Sequence, residues 1–365
     1  MDLLENLLVL LWQPIFWLVT LFIFWQYHRG LQVEKKLLGC LINSPLEQLI
    51  LSIFYGIIGG FLGSLILVTL RVSLTDLGIN YLWPIALVLM LIRLRFLCLA
   101  YSGAILGLAH LLGYFPHLNL VSLLYLIGVL HIVESLLIYL NGYQGASPIF
   151  VRHGLARLIG AFNIYKIWPI PLVALVTVGE SSYLPIVAAL GYQDLALARS
   201  PQERSCLSAL NLFSYSLGLI LLTFLSTYHS YWQLPAVLFS FLGHEAVIWK
   251  GRKEEWESMP CYLAPQEGVM VLETMPNSLA KKMGLERGDV ITRINGNQVN
   301  TKSQLNTFLQ NSLPWVDLEV RKIKGMKKRK RACSSSQQLG VILVPDSQTT
   351  GPYVEIAKRR FPLWN

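Results

Sequence analysis

The sequence predicts an α-helical polytopic membrane domain followed by a small α+β β-barrel domain, and three observations carry that prediction. Of the 365 residues 54% are hydrophobic and only 14% charged, which is too apolar for an ordinary soluble protein of this length. Charge is also unevenly placed: 14 Lys/Arg and 10 Asp/Glu precede residue 254, whereas the last 112 residues hold 16 and 11. Third, GLERGDVITRINGNQV, residues 284–299, has the turn residues and alternating apolar positions of a compact soluble domain. The expected layout is a membrane domain at 1–250, a linker at 251–258, a soluble domain at 259–346 and a tail at 347–365.

A spanning helix needs about 20 mainly apolar residues. Eight stretches meet or approach this, at 7–25, 49–70, 82–92, 96–115, 119–140, 167–190, 207–226 and 232–249. The third is short, and Arg93 and Arg95 beside it can snorkel toward a headgroup layer. MDLLEN lacks the basic region of a secretory signal, so the first apolar run is expected to stay as an anchor. If all eight stretches cross, the basic residues near their ends divide eight against six, and no orientation follows.

Residues 168–190, WPIPLVALVTVGESSYLPIVAAL, carry prolines at 169, 171 and 185 and a polar run from Gly179 to Ser182, which makes a straight helix awkward. Treated as re-entrant, this segment leaves thirteen basic residues on one side against Arg71 alone. The expected topology therefore has the amino terminus outside, seven crossings plus one re-entrant or interfacial segment, and the carboxyl terminus in the cytoplasm.

Ionisable groups at bilayer depth are costly and are functional suspects by default; here they are His110, His131, Glu134, Glu180, His244 and Glu245. His131 and Glu134, three apart, share a helix face, and mutual hydrogen bonding within a bundle is the favoured reading over a metal site. GHEAVIW, residues 243–249, invites comparison with the HExxH zinc motif, but position 248 is Ile, and the reversed HxxEH form fails because Ser135 follows Glu134. His244 and Glu245 are accordingly expected to anchor the last apolar helix at the interface. Cys40, Cys98, Cys206, Cys261 and Cys333 are scattered, with no CxxC pair. Neither GxSxG nor a Walker loop occurs, so no catalytic residue, metal or cofactor is expected. The competing reading is an intramembrane metalloprotease, or a regulator of a membrane protease, in which those His and Glu residues converge on a metal.

In the last region, residues 268–275 read as a strand, SLAKKMGL as a short helix closed at Gly284, and DVITRI as a strand whose Val290, Ile291 and Ile294 face a core. Asn295 and Gly296 supply a tight hairpin turn, and a helix at about 302–312 shows Leu305, Phe308 and Leu309 on one face. Strands near 316–323, 327–333 and 339–344 complete the set. NSLAKKMGLERGDVITRINGNQV resembles a PDZ domain in its bacterial arrangement, over roughly 259–346. The resemblance implies a groove that accepts an extended peptide as an added strand, with pockets on the second helix. The carboxylate loop is expected at Leu339, Gly340 and Val341, in preference to Tyr262, Leu263 and Ala264.

RKIKGMKKRKR, residues 321–331, is read either as a solvated hairpin tip or, through Lys327, Lys328, Arg329, Lys330 and Arg331, as a contact for anionic lipid. Nucleic acid is not an expected partner, because no aromatic residues interleave the cluster. The order of a polytopic region and a PDZ domain, with LIGAFNIYKIWPIPL at 158–172 and FLGHEAVIWKGRKEE before the PDZ segment, is similar to the MinJ family of Gram-positive cell-division topology proteins. That resemblance implies a non-enzymatic scaffold at the pole or septum that links DivIVA to MinD.

Overall fold

The computed structural model describes residues 3–75, 77–92, 94–153, 157–178, 180–310, 315–322, 327–333, 338–346 and 353–354. Helices α1 (Leu3–Trp12) and α2 (Pro14–Leu38) are bent by 61° at Gln13, because Pro14 has no N–H with which to continue the preceding helix. Gly39 at φ 74° ends α2, its N–H closing on the Lys35 carbonyl. Helix α3 (Pro45–Thr69) starts on Ser44, whose hydroxyl accepts from the Glu47 N–H. Two shorter apolar helices, α4 (Ile79–Ile92) and α5 (Leu99–Leu111), lead to α6 (Leu120–Asn141), capped by the Asn119 side chain. Beyond a sheet come α7 (Pro201–Tyr228), opened by a Ser200–Glu203 capping box, and α8 (Gln233–Glu257).

Among the described residues α3, α6 and α7 are long and apolar enough to cross a membrane, and the bent pair α1–α2 makes four if it is one span. The seven expected crossings are not reached on this measure. Helices α4 and α5 have 14 and 13 residues. At that length they extend only about 20 Å, short of the roughly 30 Å hydrocarbon layer. Helix α8 runs into the charged stretch WKGRKEE. The long helices nevertheless carry a lipid signature. On α7, Leu210, Phe213, Leu217, Leu221 and Phe224 form an outward stripe, while Leu212, Tyr215, Leu219 and Thr223 face inward. A helix apolar on its uncovered face suits lipid better than water.

The main departure from the sequence reading is at 168–190. The described residues of this stretch, 168–178 and 180–190, belong to a three-stranded antiparallel sheet, ordered β1 (Ser147–His153), β2 (Arg157–Val178), β3 (Glu180–Ala196), not to an irregular re-entrant segment. Strand β3 pairs with β2 from Phe162 to Val178, whereas β1 covers only Arg157 to Asn163, so the far half of β2 has a free edge. Such an edge beside lipid leaves backbone donors without water. Here alternate residues meet α2 and α3 instead. The Ile167 N–H donates to the Tyr27 hydroxyl at 3.0 Å and the Val173 N–H to the Ser64 hydroxyl at 2.8 Å. Between them, Pro169 and Pro171 have no N–H to satisfy.

The carbonyls of Pro169 and Pro171 lie so close to Gly56 and Gly60 of α3 that a Cβ at either glycine would overlap them. Gly59 and Gly63 face Val133 of α6, so the glycines of IIGGFLGS admit a strand on one side and a helix on the other. The prolines that argue against a helix are therefore what closes the sheet edge.

The segment after α8 crosses this sheet before the last domain begins. The Gly160 N–H donates to the Tyr262 carbonyl at 3.0 Å, the Cys261 N–H to the Leu197 carbonyl at 2.9 Å, and the Tyr262 ring meets Phe162. The domain itself comprises β4 (Val269–Thr274), α9 (Leu279–Lys282), β5 (Val290–Ile294), β6 (Asn297–Gln298), α10 (Lys302–Gln310), β7 (Trp315–Arg321), β8 (Lys327–Cys333) and β9 (Val341–Leu343). Its sheet runs β8-β7-β5-β4-β9, with β6 paired to β5 through the Asn295–Gly296 turn. Both turn residues have positive φ, 46° and 82°. Val271, Ile291, Ile294, Leu305, Leu309, Val316 and Leu318 form its core.

Candidate functional site

The residues expected to hold a peptide are placed mostly inside the C-terminal domain. Leu305 and Leu309 of α10 are core residues, and Phe308 is the member of that face left partly exposed. Leu339 is buried, and its carbonyl accepts from the Ala280 N–H at 2.9 Å. The Gly340 carbonyl accepts from the Met275 N–H at 2.9 Å, and at φ 73° this residue packs so tightly on Ser278 that a side chain would overlap it. Val341 pairs with Thr274. The loop is thus tied to α9 and β4. In the alternative stretch, Tyr262 is buried under β2.

Among the described residues no strand covers the outer side of β9. Beside it lies a cavity of about 30 Å³, lined in part by Ala264, Met270, Lys302, Leu343 and Val344. A space of that size holds about one water, so accepting a peptide side chain requires the walls to part.

Of the basic run, Lys327 to Arg331 lie on an edge strand, and residues 323–326 fall outside the described residues. Strand β8 pairs with β7 from Arg321↔Lys327 to Trp315↔Cys333, and alternate basic side chains therefore point to opposite faces. Arg329 donates to the Asp317 carboxylate at 2.7 Å, holding that carboxyl below the usual carboxylate range. Lys330 donates to the carbonyls of Met283 and Gly284 at the end of α9, and burial there pushes its ammonium down. Arg331 lies 5.2 Å from the Trp315 ring centroid, and Lys328 is exposed. The side chain of Lys327 lies outside the described residues.

The polar residues of the helical body come together differently from expectation. His131 and Glu134 do not pair: His131 Nδ1 lies 2.7 Å from the Ile127 carbonyl, and its Nε2 is 3.2 Å from Cys98 Sγ. His244 is buried in the bundle instead of anchoring an interface, with Nε2 3.8 Å from Cys98 Sγ and Nδ1 3.2 Å from the Tyr101 hydroxyl. Tyr101 in turn donates to Glu245 at 2.5 Å, and Arg95 lies 3.4 Å from the same carboxylate. His110 stays apart, with Nδ1 2.6 Å from the Phe115 carbonyl. Glu180 opens β3, and its side chain lies outside the described residues. Cys98 was missed in the sequence because nothing local distinguishes it from four other scattered cysteines.

A family profile described as a PDZ domain matches residues 270–319. The chain is also similar to the cell division topological determinant MinJ of Bacillus subtilis (strain 168), at 25% identity over 243 residues. That match spans 61% of either chain. It is similar as well to the probable cell division topological determinant MinJ of Lacticaseibacillus paracasei and of Lacticaseibacillus casei (strain BD-II). Each is 24% identical over 367 residues, covering 91% of this chain and 95% of the relative. The chain is thus MinJ-like, with several apolar helices followed by a PDZ domain.

Proposed function

We propose that this protein is a non-enzymatic membrane scaffold whose PDZ domain recruits protein partners in the placement of the cell-division site. The observation that carries the reading is a PDZ domain joined to a lipid-suited helical body, in a chain that shares 91% of its length with a relative named as a division-site determinant. A PDZ domain binds by adding an extended peptide to a sheet edge, where main-chain hydrogen bonds supply affinity and side-chain pockets supply selection. The outer side of β9 is the candidate edge, and Phe308 on α10 the candidate selector. The carboxyl-terminal domain faces the cytoplasm in this reading, where DivIVA and MinD would meet it. The thirteen-to-one division of basic residues belongs to a seven-crossing layout that α4, α5 and the sheet do not supply. DivIVA and MinD, implied by the MinJ resemblance, are the partners to test.

The test is a crosslinking pull-down from native membranes with the intact chain, a form truncated after Glu254, and Phe308→Lys. Partners should be captured by the intact chain, lost on truncation and reduced by Phe308→Lys. Equal capture by the truncated form refutes recruitment through the PDZ domain. A reporter fused after Asn365 should be active only in its cytoplasmic form, and the opposite result reverses the orientation.

A further inference from the structure

We infer that Cys98, His131 and His244 form a binding site for a divalent metal of the zinc type, which ties α5, α6 and α8 together inside the helical body. Their ligand atoms, one from each residue, all lie within 4.8 Å of one another. Cys98 is the residue before α5, His131 sits in the middle of α6, and His244 lies on α8.

The hydrogen-bond network decides which ring nitrogens are bare. A carbonyl only accepts, so His131 Nδ1, 2.7 Å from the Ile127 oxygen, carries the proton and leaves Nε2 as a lone pair. Tyr101 gives its own proton to Glu245, so its oxygen accepts from His244 Nδ1, and that Nε2 is bare as well. Both lone pairs are directed at Cys98 Sγ, at 3.2 and 3.8 Å. One thiol proton satisfies only one of them. The other remains a buried acceptor without a donor, which is costly.

A divalent ion satisfies all three atoms at once. It displaces the thiol proton to solvent, so that Cys–SH and the dication become a metal thiolate and one released proton, with no change of oxidation state. Metal–sulfur and metal–nitrogen bonds of about 2.3 and 2.05 Å at a tetrahedral angle place sulfur and nitrogen about 3.6 Å apart. The two separations here bracket that value. A set of one thiolate and two imidazoles selects zinc over magnesium or calcium. The Ile127 carbonyl and the Tyr101–Glu245 pair act as the outer partners that orient metal-bound histidines. A fourth position is left for another donor.

The experiment uses the full chain in lipid nanodiscs, with Cys40, Cys206, Cys261 and Cys333 replaced by Ser so that Cys98 is the single thiol. After chelator stripping and under reducing conditions, Co(II) should bind at one per chain. A thiolate-to-cobalt charge-transfer band and the visible bands of a tetrahedral site should appear, and Zn(II) should bleach both. Cys98→Ala should remove the charge-transfer band, and His131→Gln or His244→Gln should remove the tetrahedral spectrum. Tyr101→Phe, which keeps the ligands, should weaken Co(II) binding roughly 10–100-fold. Failure of the single-thiol chain to bind Co(II), or binding without the charge-transfer band, overturns the site, and so does a band that survives in Cys98→Ala. None of these outcomes bears on peptide capture, so this site and the scaffold function stand or fall separately.

Discussion

Two sheet edges in this protein meet opposite demands. From Ile167 to Val173 the free edge of β2 lies against apolar helices, and its donors there are either removed by Pro169 and Pro171 or taken by Tyr27 and Ser64. The sheet of the PDZ domain ends at β8 and β9, where no described strand continues it. Strand β8 is guarded by charge and β9 is only three residues long, two usual ways of discouraging unwanted pairing in water. An edge without access to water must be closed from within the chain. One that faces water can stay open, and only such an edge is available to a partner.

The largest effect should come from forcing the closed edge apart. Gly60→Leu puts a side chain where the Pro171 carbonyl lies, and should cost about 3 kcal/mol or more, seen as loss of monodisperse protein in detergent. Recovery of the variant at native yield would break the contrast. Ser64→Ala leaves the Val173 N–H without its partner, and should cost about 1–3 kcal/mol in reversible unfolding from mixed micelles.

On the open side, Lys327, Lys328 and Arg331 replaced together by Gln should weaken binding to anionic vesicles by up to about 1 kcal/mol per residue, measured by co-sedimentation against neutral vesicles. Arg329→Gln and Lys330→Gln should instead loosen the domain, because Arg329 holds Asp317 and Lys330 the end of α9.

The smallest effect concerns pH. Asp317 has its folded pKa held low, first by its hydrogen bond from Arg329. Its contribution is present above the ordinary carboxylate pKa and is lost as pH falls through the lowered folded value. Protection of the β7 and β8 amides in the full chain, taken relative to their intrinsic exchange rate at each pH, should therefore fall on acidification, and Asp317→Asn should reduce that dependence.

The PDZ region was legible because its signals are local. Gly284, Gly288, Asn295 and Gly296 all have positive φ, where the GL, GD and NG pairs call for turns. The strands expected near 316–323, 327–333 and 339–344 appear as Trp315–Arg321, Lys327–Cys333 and Val341–Leu343. Residues 168–190 were misread because an apolar run with prolines has no decisive period. Their β form depends on the glycine face of α3, more than a hundred residues earlier in the chain.

The sequence by itself therefore determined which turns build the PDZ domain, since each follows from neighbours a few residues apart. Tertiary structure alone decided that two prolines seal a sheet edge, that Leu305 and Leu309 are core, and that Cys98 meets His131 and His244. The last two contacts join residues 33 and 146 positions apart. Separations of that size are set by how helices pack, and helix packing leaves no mark in the local pattern of either partner.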